Sequence, residues 1–145
     1  MLMFSLLFPV VLAADPLRSS AGSPACPSNW SGWNNHCYFF NSIPLAWKDA
    51  ESFCLTQGAH LTSIQSDEEN RFVWNLGKVD SAWIGGSAGF AEYVFTWTDG
   101  TQWDAFQWLK MDIGNGACVP IGSNLRWKPT ICEKQLSSVC RKSLI

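Results

Sequence analysis

Apolar residues dominate the start of the chain, where Leu2 through Ala14 carries only Ser5 as a polar side chain before Asp15-Pro16-Leu17-Arg18. A membrane-spanning helix needs about 20 apolar residues. This run is shorter, contains Pro9 and ends in small residues, which is the pattern of a secretory signal peptide over residues 1–14 with cleavage after Ala13 or Ala14. Its start has no Lys or Arg, so the α-amino group alone supplies positive charge. No second run of this kind follows, and no membrane anchor is predicted. Residues 15–25 are small, polar and proline-bearing, with nothing to build a core from, and read as a flexible lead-in.

From Cys26 the pattern becomes that of a folded domain, predicted over 26–141 with a short tail at 142–145. Pro27, Gly32 and the aromatic run Tyr38-Phe39-Phe40 suggest a hairpin. Pro44 suits a first helical turn, and Trp47, Ala50 and Cys54 follow on one helical face until Gly58. Ser66-Asp67-Glu68-Glu69 matches a capping box, in which Ser66 accepts from the amide three residues on and Glu69 returns the bond. Phe72, Val73 and Leu76 would form that second helix's buried stripe, with Gly77 at its end. The pattern then turns extended. Ala82-Trp83-Ile84-Gly85 and Tyr93-Val94-Phe95-Thr96-Trp97 are predicted strands, the latter running into an Asp99-Gly100 turn. Residues 101–117 read as a long irregular loop. Cys118 to Ile121, Leu125 to Trp127 and Ser138 to Cys140 read as closing strands.

Composition narrows this to one secreted domain. About 130 residues remain without the leader, enough for a single core. A formal charge of −2 with scattered Lys and Arg gives no phosphate-tracking surface, so nucleic acid is not an expected partner. Nine tryptophans supply large rigid side chains for the core. An even count of cysteines, Cys26, Cys37, Cys54, Cys118, Cys132 and Cys140, after a secretory leader implies disulfides, and six cysteines allow roughly 15 pairings. A zinc site with His36 and His60 is the rival use, disfavoured because no Cys-x-x-Cys is present.

Several ordered segments resemble the C-type lectin domain in its long form. They are Cys26-Pro27 with Trp30, Trp33 and Cys37-Tyr38; Trp47-Lys48-Asp49-Ala50 with Cys54; Gly58 to Ile64; Trp83-Ile84-Gly85-Gly86; and Trp97-Thr98-Asp99-Gly100-Thr101 followed by Trp108. In style the chain is similar to small secreted fish lectins and type II antifreeze-like proteins. The resemblance implies an α+β fold, with two helices flanking small antiparallel sheets and a long loop region. It also implies the pairings Cys26 to Cys37, Cys54 to Cys140 and Cys118 to Cys132, and core positions for Trp83, Trp97 and Trp108.

Calcium-dependent members of that family carry Glu-Pro-Asn or Gln-Pro-Asp in the long loop and Trp-Asn-Asp after it. Here residues 109–117 contain neither tripeptide, and Trp127-Lys128-Pro129 stands where Trp-Asn-Asp is expected. A lysine ammonium donates hydrogen bonds and accepts none. The sugar-bridging Ca²⁺ is therefore expected to be lost and no metal ligand is assigned, with no other cofactor implied. Asp112 and Asn115, with Asp104 or Glu133, could still serve a differently built calcium site, but read better as solvated loop polarity. Candidate ligand-binding residues are Trp103, Phe106, Lys110, Asp112, Asn115, Arg126 and Lys128. For Trp103 and Phe106, anchoring of the loop into the core is an equal alternative.

Asn29-Trp30-Ser31 is an N-glycosylation sequon. Thr96, Thr98 and Thr101 surround a strand end in a way that could suit ice, although threonine is simply favoured in strands. No nucleophile with an ordered base is recognisable and no phosphate-cradling glycine loop is present, so an enzyme is not expected. The expected function is extracellular recognition of a glycan or microbial surface in innate defence. A protein ligand or ice is the alternative, and the sequence leaves oligomerisation open.

Overall fold

The computed structural model describes residues 25–89, 94–104 and 111–144. The leader expected at 1–14 and most of the lead-in lie outside them, as do Tyr93, Phe106, Trp108 and Lys110. The elements are β1 (Ser31–Trp33), β2 (His36–Leu45), α1 (Trp47–Thr56), β3 (His60–Leu61), α2 (Asp67–Gly77), β4 (Ser81–Ser87), β5 (Thr96–Trp97), β6 (Cys118–Gly122) and β7 (Leu136–Ser143). One mixed sheet joins the strands in the order β1-β2-β7-β4-β5, with β3 also on β7 and β6 also on β4. Among the described strands, only the β4–β7 pair is parallel. This is the α+β arrangement with two helices that the resemblance implied.

The expected hairpin forms because Asn34 and Asn35 both take left-handed φ, 47° and 66°, the geometry of a tight turn between twisted strands. Pro44 does not start the first helix. It lies near the end of β2, where the register shifts between Asn41 and Leu45, and such an irregularity tolerates a residue without an N–H. Helix α1 starts at Trp47 and buries Ala50 and Cys54 as its apolar spacing requires. Ser66 caps α2 by accepting from Glu69 N at 3.1 Å. Glu69 reaches one residue further back than a capping box does, accepting from Gln65 N at 2.8 Å. Of the predicted strand at 93–97, the described residues 94–97 form a strand only at β5, and Leu125 to Trp127 is a turn with single bridges, since Leu125 has φ 63°.

All six cysteines pair as the resemblance implied: Cys26–Cys37, Cys54–Cys140 and Cys118–Cys132. The 86-residue separation of Cys54 and Cys140 gives that bridge the largest effect on the unfolded chain, about 4–5 kcal/mol by loop-closure entropy. Trp83 and Trp127 are fully buried and Trp97 nearly so. The two fully buried indoles both find acceptors. Trp83 Nε1 donates to Leu45 O at 2.9 Å and Trp127 Nε1 to Asn70 Oδ1 at 3.0 Å.

An ionic knot ties β7 to α2 and to the β5 turn. Arg141 Nη1 donates to Ser63 Oγ at 2.9 Å and to Asp99 Oδ2 at 3.2 Å, and its Nε stands 3.2 Å from Glu69 Oε2. The last contact is off the hydrogen-bond axis and is Coulombic. Tyr38 OH donates to the same Glu69 oxygen at 2.5 Å, and burial followed by the Glu69 contact pushes the phenol's pKa up, so it stays a donor. Burial alone would raise the Asp99 pKa, but hydrogen bonds from Ser63 and Thr101 and the Arg141 charge outweigh it and hold the carboxyl below its ordinary 3.8.

Candidate functional site

The long-loop end is built on Asn70, a fully buried residue of α2. Its side-chain oxygen accepts from the Trp127 indole, and its Nδ2 donates to Leu125 O at 3.0 Å. These two bonds fix the turn after β6, which closes with Leu125 N donating to Gly122 O at 2.9 Å and Gly122 N to Arg126 O at 2.8 Å. Trp127 is thereby held inward, and its exposed neighbours Arg126 and Lys128 flank it.

The segment from Met111 to Ala117 lies directly on this turn. Asp112 N donates to Trp127 O at 2.9 Å, and Cys118 and Thr130 exchange both backbone bonds, at 3.2 and 2.7 Å. The approach is close enough to demand glycine. A Cβ on Gly114 would stand 1.9 Å from Pro129 O, and one on Gly116 2.0 Å from Thr130 C. The backbone of 114–116 therefore fills the space beside the Lys128-Pro129 step.

Arg126 grips Asp112 as a fork, with Nε 2.8 Å from each carboxylate oxygen and Nη2 2.5 Å from Oδ1. The Arg126 hydrogen bonds, with help from the Arg126 and Lys128 charges, hold the exposed Asp112 carboxyl below the usual range, and Asp112 in turn raises Arg126. Beside this pair runs a groove of about 580 Å³. Arg126, Lys128, Lys134, Asn115, Thr130 and Ser81 contribute its polar wall, and Pro120 and Ile113 its apolar one. Among the described residues no carboxylate lines it and no ion pair involves Lys128 or Lys134.

Of the residues singled out in the sequence, Asn115, Arg126 and Lys128 meet at this groove and Asp112 holds Arg126 at its edge. Trp103 sits elsewhere. It packs against Trp97 at 4.3 Å, Phe95 at 5.4 Å and Trp127 at 5.9 Å between ring centroids, with Gly86 leaving room for its ring. Phe106 and Lys110 lie outside the described residues. Lys134 was not anticipated. The signal for it was the Cys118–Cys132 bridge, which draws the residues after Cys132 to the strand carrying Pro120. Asn29 is exposed with φ 72° in a turn closed by Trp30 N donating to Pro27 O at 3.0 Å, so its sequon stands at the surface.

A stapled α+β domain with a loop region packed over Trp127 matches one family model, the Lectin C-type domain, over residues 43–142. The chain belongs to this family. A type-2 ice-structuring protein from Hemitripterus americanus is 31% identical over 132 residues, covering 88% of this chain and 80% of the relative. The rhodocetin subunit delta snaclec of Calloselasma rhodostoma is 36% identical over 122 residues, covering 80% of this chain and 98% of the snaclec. Among solved structures, a calcium-independent type II antifreeze protein superposes with a TM-score of 0.74 at 26% identity, covering 83% of this chain and 96% of that one.

Proposed function

We propose that this chain is a secreted recognition protein that binds a glycan, on a microbial or other cell surface, through the groove beside residues 111–117, with no calcium ion bridging protein and sugar. The observation that carries the reading is the state of Asp112. A Ca²⁺ ion needs about 6–8 oxygen ligands converging on it. Both Asp112 oxygens are turned onto Arg126, Lys128 offers only donors, and the Pro129 carbonyl faces the Gly114 backbone. The donor set does not suit the cation. It suits a ligand rich in hydrogen-bond acceptors, which describes a saccharide. The reading is one of binding rather than catalysis, because the part-buried Asp99 carboxylate is committed to Ser63, Thr101 and Arg141.

A glycan array run in calcium and again in chelator tests this. Equal binding in the two conditions is expected. Binding lost in chelator would contradict the calcium-free mode, and no binding in either condition would remove the glycan reading.

The similarity to ice-structuring proteins supports a second reading, in which the same scaffold binds ice. The threonine group suggested by the sequence offers it little, since Thr98 Oγ1 turns to Leu61 O at 3.4 Å and Thr101 Oγ1 to Asp99 at 2.6 Å, leaving the exposed Thr96. Thermal hysteresis in the purified protein would favour ice over the glycan.

A further inference from the structure

We infer that the groove selects saccharides bearing an anionic group, a sulfate or a carboxylate, and that Lys128, Lys134 and Arg126 are the residues that select it; the inference rests on the glycan reading above. Three cationic side chains reach one groove from different places: Arg126 and Lys128 from either side of the buried Trp127, and Lys134 from beyond the Cys118–Cys132 bridge. A charge run along an exposed face would be ordinary solvated surface. Here the fold gathers cations that are separated in sequence around a concavity that no carboxylate lines among the described residues, in a chain whose formal charge is −2.

The three are not equivalent. Arg126 already satisfies Asp112 through Nε and Nη2, which fixes its guanidinium at the groove edge and leaves its Nη1 donors to face a second acceptor. Lys128 and Lys134 have no ion-pair partner among the described residues, so an incoming oxyanion gains their charge without displacing a carboxylate. Asn115 supplies a neutral amide to the same groove, and Ile113, 89% exposed, offers an apolar surface for the C–H face of a sugar ring. Asp112 is a positioning residue in this scheme, and Lys128 and Lys134 are the direct contacts.

The test uses one disaccharide, N-acetyllactosamine, in neutral, 6-sulfated and 3′-sialylated forms, titrated against the intact protein and a Lys128→Gln/Lys134→Gln variant. Both positions are exposed, so the variant keeps its fold, and its unfolding temperature verifies that. At least one acidic form should bind about tenfold or more tightly than the neutral form, with the preference falling as salt rises and vanishing in the variant. Sulfate-only or sialate-only binding identifies which anion the groove takes. Equal binding of all three forms overturns the anionic selection while leaving the glycan reading intact. An acidic preference that survives the double substitution overturns the groove assignment. Polyglutamate binding as tight as the acidic sugar overturns selection for a saccharide, and no binding of any form across the full array removes the glycan reading itself.

Discussion

Two arginines each hold an aspartate, and the two pairs do opposite work. Arg141 and Asp99 are 12% and 14% exposed, with Glu69 at 3%, and the group joins β7, α2 and the β5 turn. Arg126 and Asp112 are 46% and 37% exposed and join two stretches of loop. Solvent accounts for the difference. A guanidinium largely withdrawn from water compensates charges that water reaches poorly, so its loss leaves them stranded. An exposed one is replaced by water at little cost, so it adds little to stability. The same side-chain chemistry thus ties the scaffold together in one place and, in the proposed reading, borders the ligand groove in another.

Arg141 carries the heaviest stability consequence of the two arginines. Arg141→Ala should destabilise the domain by about 3–5 kcal/mol, since it leaves the Glu69 and Asp99 carboxylates without their cation; thermal or denaturant unfolding measures it. A value near zero would make the knot decorative. Next comes Asn70→Ala, which strands the buried Trp127 indole and the Leu125 carbonyl and should cost about 1–3 kcal/mol. It should also weaken ligand binding, because the turn carrying Arg126 and Lys128 loses its support. Unfolding and glycan titrations on the same sample would separate the two effects.

Acid provides a graded version of the Arg141 test. Asp99 holds its proton less tightly in the folded chain than at its ordinary 3.8, so the unfolded state binds more protons there. That contribution is complete above about pH 4 and is lost as the pH falls through the folded value. Stability measured downward from pH 5 should therefore drop, and Asp99→Asn should flatten the drop. The smallest stability effect is expected for Arg126→Ala, whose unfolding temperature should stay at the wild-type value while binding of the acidic disaccharide weakens.

The scaffold was largely legible in the sequence and the site only in part, for physical reasons. Apolar spacing placed Ala50 and Cys54 inward on α1, and Ser66 announced α2, because both signals are local. The Pro44 reading failed where a local preference met a tertiary constraint: the β2–β7 pairing continues to Leu45 around an irregular register, so the helix begins later. Leu125 to Trp127 looked like a strand because Trp127 is apolar, yet its burial is secured by Asn70, a polar residue on another element that periodicity does not report. Lys134 joined the site through a disulfide rather than through neighbours in sequence, and residues such as Gly114 and Gly116 reveal their role only when Pro129 and Thr130 are seen against them.

Calorimetric titration of the protein with CaCl₂ decides whether the loop end recognises its ligand without calcium, as proposed. With Asp112 engaged by Arg126, no saturable heat is expected up to millimolar Ca²⁺, and glycan affinity should be the same with and without the ion. A saturable isotherm with Kd between about 10⁻⁵ and 10⁻³ M, accompanied by tighter glycan binding, would contradict it.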